Sequence, residues 1–183
     1  IEQAVKNGDA NSEAIALTMR ALFVSNWTDI YGDIPFSEAF QGRNNVLKPK
    51  FDTQKEVYTQ LFADLERANS LYDPSRALRY PNKDLMYKGD IAKWRKFTNS
   101  LHMRLLMRLQ NRDAEMGVSE KLREIVSNPS RYPVMASNAD NAALFYTNVD
   151  PFIGHFGTTT LQSFTSNSHR MAEHLVNLMN NTN

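Results

Sequence analysis

Between residues 131 and about 166 the chain sustains no helical period, and its most ligand-like side chains are concentrated there. Phe145, Tyr146, Phe152, His155, Phe156 and Phe164 are interleaved with Asn148, Asp150, Thr158, Thr159, Thr160 and Gln162. Flat rings can cover the C–H face of a sugar while amides and hydroxyls match its hydroxyl groups, the mix of apolar wall and directed polar groups that a small-ligand site needs. Pro151, Gly154 and Gly157 make residues 152–157 a turn-rich segment suited to the surface. Tyr146, Asn148, Phe152, His155 and Phe156 are therefore the candidate ligand-binding residues. The competing reading is structural: rings under a long loop commonly form a satellite core.

Other chemistries find less support. Glycoside hydrolysis needs two carboxylates held across a sugar bond. Asp140 and Asp150, the only acids of the irregular stretch, have no spacing that argues for such a pair. Neither a phosphate-cradling glycine loop nor an HExxH motif occurs. His169 and Glu173 would share a helix face, with His174 next to them, but two candidates do not make a metal site, and a solvated face is the better reading. His102 borders an apolar helical stripe and reads as a hydrogen-bonded structural histidine. The expectation is a binding protein, not an enzyme, with no metal and no cofactor.

The elements that would hold such a loop are helices. Residues 89–112 read as the central one, with Asp90 as cap and Ile91, Trp94, Phe97, Leu101, Leu105 and Leu109 at helical spacing. Met103, Leu106 and Met107 make a second side apolar, so this helix is expected to be packed on two sides. Arg104, Arg108 and Arg112 suit its negative end. Before it, residues 13–31 predict a helix capped by Asn11 or Ser12 and stopped by Gly32. Its expected face is Ile15, Met19, Leu22 and Phe23, with Leu17, Val24 and Trp27 on other sides, so it too reads as sandwiched. Gly32 and Pro35 impose a rigid turn, and residues 41–50 an exposed loop.

Thr53 and Glu56 match the capping box. The helix that follows carries Val57, Tyr58, Leu61, Phe62, Leu65, Ala68 and Tyr72 on one arc, leaves Lys55, Glu56, Gln60, Asp64, Glu66 and Arg67 to solvent, and ends near Asp73-Pro74. Residues 75–88 are a loop with Pro81. A shorter helix at 120–127 should bury Leu122, Ile125 and Val126, and a last one at 168–179 should use Met171, Leu175 and Leu178. The fold class is all-α: an antiparallel helical array with tetratricopeptide-like units, although no clean 34-residue period is present, and one long irregular loop region at about 131–166.

Lys+Arg 21 against Asp+Glu 20, a formal net charge of +1, is too balanced for an electrostatic nucleic-acid binder. The 183 residues suffice for one well-buried core, so a single helical domain over 1–183 is expected. No apolar run approaches the ~20 residues that cross a bilayer. The absence of cysteine rules out disulfides and thiolate zinc sites without fixing a compartment. Residues 1–6 read as a helix tail stopped by Asn7-Gly8, and the polar end at Asn180-Asn181-Thr182-Asn183 suggests that sequence is missing on both sides.

One succession of segments resembles a known family. Tyr31-Gly32-Asp33-Ile34-Pro35-Phe36-Ser37-Glu38-Ala39 is followed by Pro49-Lys50-Phe51-Asp52, then Val57-Tyr58 leading to Asp64-Leu65. Tyr87-Lys88-Gly89-Asp90, Lys93-Trp94-Arg95-Lys96-Phe97, Asn99-Ser100-Leu101 and the stretch from Arg104 to Arg108 complete the order, which resembles the SusD/RagB family; residues 171–183 are similar to a later family segment. The resemblance implies a mostly helical, surface-exposed lipoprotein of the Bacteroidetes outer membrane. Such a protein binds glycans or other nutrients and sits over a SusC-like TonB-dependent transporter. Family members are considerably longer, and the lipid-bearing cysteine expected of them does not occur in these residues, so anchoring is implied by the resemblance alone. Trp94, Phe97, Gly32, Pro35 and Gly89 are taken as fold signatures, not ligand contacts. The alternative function is a helical-repeat scaffold that docks a protein partner and has no small-molecule site.

Overall fold

A computed structural model of the chain describes residues 1–144. Ile1–Ala143 form one compact unit. Its helices are α1 (Glu2–Lys6), α2 (Ala10–Tyr31), α3 (Gln54–Leu71), α4 (Ile91–Arg108), α5 (Asp113–Met116) and α6 (Val118–Ser127). No strand occurs among the described residues; a single antiparallel bridge joins Ile34 and Asp52. The all-α class is as expected. The helix proposed at 168–179 and everything from residue 145 onward lie outside the described residues.

Side-chain ties fix the helix directions. Near one end of the pair Arg67 meets Glu13 at 2.6 Å, and toward the other the Tyr58 hydroxyl donates to Asp29 at 2.6 Å, so α2 and α3 are antiparallel. Asn69 accepts from Asn99 at 3.0 Å, while Phe62 stacks on His102 with centroids 5.2 Å apart, so α4 runs back along α3. Thr18 touches Thr98 at 2.8 Å and Arg108 pairs with Asp29 at 2.6 Å, which makes α2 and α4 parallel.

The central helix behaves as its spacing predicts. Asp90 accepts from the Lys93 amide at 3.0 Å, and Ile91, Trp94, Leu101 and Leu105 are buried. Leu106, on another side, packs with Val118, Ile125 and Tyr132, so α4 is covered twice; Met107 stays exposed. The capping box at Thr53 and Glu56 is present in full. One residue of α3 departs from its expected place: Asp64 is buried, because the Arg20 guanidinium reaches it at 2.6 Å and offsets the loss of hydration.

Helix α2 corrects the sequence reading most. Its cap is Asp9, which accepts from the Ser12 amide at 3.0 Å. Asn11 instead sits inside and buried, donating to the carbonyls of Asp73 at 2.9 Å and Arg76 at 2.7 Å and so tying the end of α3 to the start of α2. The buried face is Ala14, Leu17, Thr18, Ala21, Val24, Ser25 and Thr28, while Phe23 at 52% and Trp27 at 49% remain exposed. Small residues let α3 and α4 come close. At that junction Thr18 Oγ1 lies 3.0 Å from the Tyr72 hydroxyl and 2.8 Å from Thr98 Oγ1, a buried hydroxyl cluster that joins all three helices' packing. Ile15, Met19 and Leu22 of the expected face are half-buried against the two core clusters, but the side carrying Phe23 and Trp27 stays uncovered among the described residues.

Helix α6 begins at Val118, two positions before its expected start at Glu120. It buries Val118 and Ile125, whereas Val126, expected inside, is 65% exposed. Beyond it, residues 131–144 are irregular as expected, with only a short 3-10 turn at Asn138–Asp140.

Candidate functional site

Tyr146, Asn148, Phe152, His155 and Phe156 lie outside the described residues, as do Asp150, His169, Glu173 and His174. Asp140 is a structural anchor: its carboxylate accepts from Lys96 Nζ at 2.9 Å and from the Ala136 amide at 3.0 Å. The Ala136 amide, with Lys96 next in effect, holds this carboxyl below its ordinary value. His102 is structural too, but not by hydrogen bonding. It is 1% exposed and stacked on Phe62, its Nδ1 is 3.5 Å from Glu66, and its Nε2 has no partner among the described residues. Trp94 and Phe97 sit in the apolar packing, and Gly32 and Gly89 take positive φ of 75° and 88° at turns, as their reading as fold signatures requires.

The described residues instead build a cleft that the sequence did not announce. Ile34 and Asp52 exchange backbone hydrogen bonds of 3.2 and 3.0 Å, closing the chain between them into a loop with adjacent ends. The Asp52 carboxylate then accepts from the Ser37 amide at 2.6 Å, the Ser37 hydroxyl at 2.8 Å and the Phe36 amide at 3.1 Å. The Ser37 amide is the main cause that holds this carboxyl below its usual value, against burial. Glu38 accepts from the Lys50 amide at 2.9 Å and ties the same two legs again.

Against this loop stand α2 and α3. Arg20, held by Asp64, lays its guanidinium over the Phe36 ring at 5.7 Å. Around them two hollows share Arg20, Phe36 and Ser37. One, of about 350 Å³, reaches Asp52, Glu56 and Gln60; the other, of about 500 Å³, reaches Glu2, Phe40, Gln41 and Asn44. Glu56 is held below its ordinary value by the Thr53 amide and hydroxyl. Both Asp52 and Glu56 thus favour the charged form, the opposite of the protonated carboxyl that a glycosidic general acid needs.

Phe40 stands at the mouth of this cleft. It is 93% exposed and has φ 63°, a left-handed conformation that disfavours side chains. Phe40→Gly is expected to stabilise the fold by about 1 kcal/mol, since no packing among the described residues is lost and the backbone strain is relieved. Urea unfolding measures this; a destabilised variant would show that the ring has packing that its exposure denies. The sequence carries a signal for the loop, though not for the hollow: Phe36, Phe40, Gln41 and Asn44 repeat the ring-and-amide mixture of the later irregular stretch.

Fold and cleft together define a class, an all-α array of antiparallel helices presenting polar hollows edged by aromatic rings. The chain belongs to the SusD/RagB family: a SusD-like family described as starch-binding and associating with the outer membrane matches residues 1–183. It is similar to a SusD homologue from Bacteroides fragilis, 26% identical, with a TM-score of 0.71 over 83% of this chain and 32% of that one. A SusD/RagB family protein from Bacteroides thetaiotaomicron is 30% identical, with a TM-score of 0.66 over 84% of this chain and 30% of that one. A chitin-binding SusD homologue from Flavobacterium johnsoniae is 28% identical, with a TM-score of 0.66 over 79% of this chain and 31% of that one. The chain thus spans less than a third of the length of these solved relatives. No curated protein matches it. Among the described residues, no helix is long and apolar enough to cross a membrane.

Proposed function

We propose that the protein binds a glycan at the cell surface, leaves it chemically unchanged and delivers it to a SusC-like TonB-dependent transporter. The observation that carries this reading is the whole-chain match to a family described as starch-binding and outer-membrane-associated. The similar chain described as chitin-binding supports the ligand class. Anchoring at the outer membrane through a lipid belongs to the same reading. The ligand-binding residues proposed are Tyr146, Asn148, Phe152, His155 and Phe156, whose rings and polar groups suit a sugar's two faces.

Calorimetry of the 183-residue chain with maltohexaose and chitohexaose is expected to show saturable binding, and chromatography of the recovered sugar no shortening. Phe152→Ala with Phe156→Ala is expected to weaken binding about tenfold or more, the equivalent of about 1.4 kcal/mol. Shortened sugar would replace the binding protein by an enzyme. Peptide binding without sugar binding would replace the ligand class.

One observation favours the second reading, a scaffold for a protein partner. Phe23, Trp27, Ile30 and Tyr31 form an exposed apolar stripe along α2. Charged substitutions there that abolish partner capture while sugar binding persists would favour it.

A further inference from the structure

We propose that the hollow between the loop carrying Phe36 and Phe40 and the adjoining face of α2 is a glycan subsite built from residues other than 146–156, with Phe40 as its stacking ring. The inference rests on the glycan-binding reading above and adds a place and a charge preference to it.

The starting observation is a conformation with no visible compensation. A phenylalanine in the left-handed region is strained, and burial of its ring would ordinarily offset that cost. Phe40 is 93% exposed, so nothing among the described residues offsets it. A ring held bare at the lip of a cleft becomes packed when a ligand lies against it. The C–H face of a pyranose is such a ligand, apolar on one side and hydroxyl-rich at its edge.

The cleft behind the ring supplies the groups for that edge. The Gln41 side chain donates to the Ser37 carbonyl at 3.0 Å, which restrains its amide and leaves its side-chain oxygen without a hydrogen bond among the described residues. Asn44 adds a second amide, and the hollow of about 500 Å³ falls in the range of small-ligand sites. The floor is preformed: Asp52 grips both Phe36 and Ser37, and Asp64 fixes Arg20. Preformed groups lose little entropy on binding.

Charge selects among ligands. Arg20 is the cation shared by the two hollows, and its guanidinium is already matched by Asp64 at 2.6 Å. Glu2 lines the hollow of about 500 Å³, and Asp52 and Glu56 line its neighbour. An anionic sugar would meet the like charge of Glu2 beside an Arg20 already paired with Asp64, so the subsite takes neutral oligosaccharides.

Amide-resolved NMR titration of the 183-residue chain with maltohexaose and chitohexaose follows two groups of signals, Ser37 to Asn44 and Tyr146 to Phe156. Saturable shifts of the first group are expected with at least one neutral hexamer, and none with oligogalacturonate. Phe40→Ala is expected to weaken the cleft response at least tenfold and leave the second group unaffected. Phe40→Gly is expected to lose the same response while unfolding at higher urea, a combination that a merely structural ring would not produce. Shifts confined to Tyr146 to Phe156 overturn this inference and leave the glycan reading standing; no shift in either group overturns both. Cleft shifts of unchanged affinity in Phe40→Ala, or equal binding of the uronate, also overturn it.

Discussion

Lowering the pH from about 7 to about 4 is expected to remove about 3 kcal/mol of folding stability through His102 alone. Burial is the largest cause, and it pushes this imidazole from its ordinary 6.5 down to about 4. Three charged groups act on it from the elements packed around it. Glu66 on α3, 3.5 Å from Nδ1, pulls the value back up, and Glu124 on α6 adds to that pull. Lys121, also on α6, opposes both, and it sits 2.7 Å from the same Glu66 oxygen. Desolvation wins because Glu66 is already matched by Lys121 and has little attraction left for a second cation.

The sign follows from which state takes the proton. The unfolded chain binds one near pH 6.5, whereas the folded chain refuses it until about pH 4. Stability is therefore full above the ordinary value, falls across that interval and levels off below it. The carboxyls of Asp52, Asp84 and Asp140 are held below their ordinary 3.8, so their own losses begin where the histidine's end. Urea denaturation between pH 4 and 7 measures the slope, and His102→Gln should flatten it. Equal slopes in variant and parent would sink the assignment.

Gly89→Ala is expected to cost about 3 kcal/mol, a fall in Tm of roughly 6–12 °C for a domain of this size. Two effects add. At φ 88° the backbone itself penalises a side chain by about 1–2 kcal/mol. A Cβ there would also lie 2.6 Å from Pro81 Cβ, a distance that forces the 3-10 turn at Pro81–Lys83 to move. That turn leads directly into Asp84, whose carboxylate accepts from Gly89 N at 2.9 Å, Trp94 Nε1 at 2.7 Å and Met86 N at 3.0 Å. Displacing it strains the bond that orients the buried Trp94. Gly117 is the control: its φ is 62°, but nothing lies within 4 Å of its added Cβ, so Gly117→Ala should cost about 1 kcal/mol, the backbone effect alone. Equal losses at Gly89 and Gly117 would show that Pro81 yields freely.

The same comparison explains why the family segments read as fold signatures. Asp84 stands just before Tyr87-Lys88-Gly89-Asp90 and gathers the amides of Met86, Tyr87 and Gly89, and Asp90 then caps α4. The segment Ile34-Pro35-Phe36-Ser37 is held in the same manner by Asp52. Each segment is a turn organised by one carboxylate, and each was legible because a turn needs its glycine, proline or acid at a set place.

By itself the sequence determined the existence and order of α2, α3, α4 and α6, to within a few residues at their ends, and the central position of α4. Those features depend on groups within about a turn of one another: Thr53 with Glu56, Asp90 with Lys93, Gly32 at positive φ. Tertiary structure alone decided which side of α2 is buried. Hydrophobicity favoured Phe23 and Trp27, but close approach to α3 and α4 favoured Ala14, Thr18 and Ala21, and packing prevailed. It alone also made the cleft, since Arg20, Phe36, Asp52 and Gln60 come from three separate segments. Spacing along a chain cannot encode a hollow whose walls meet only after the helices have paired.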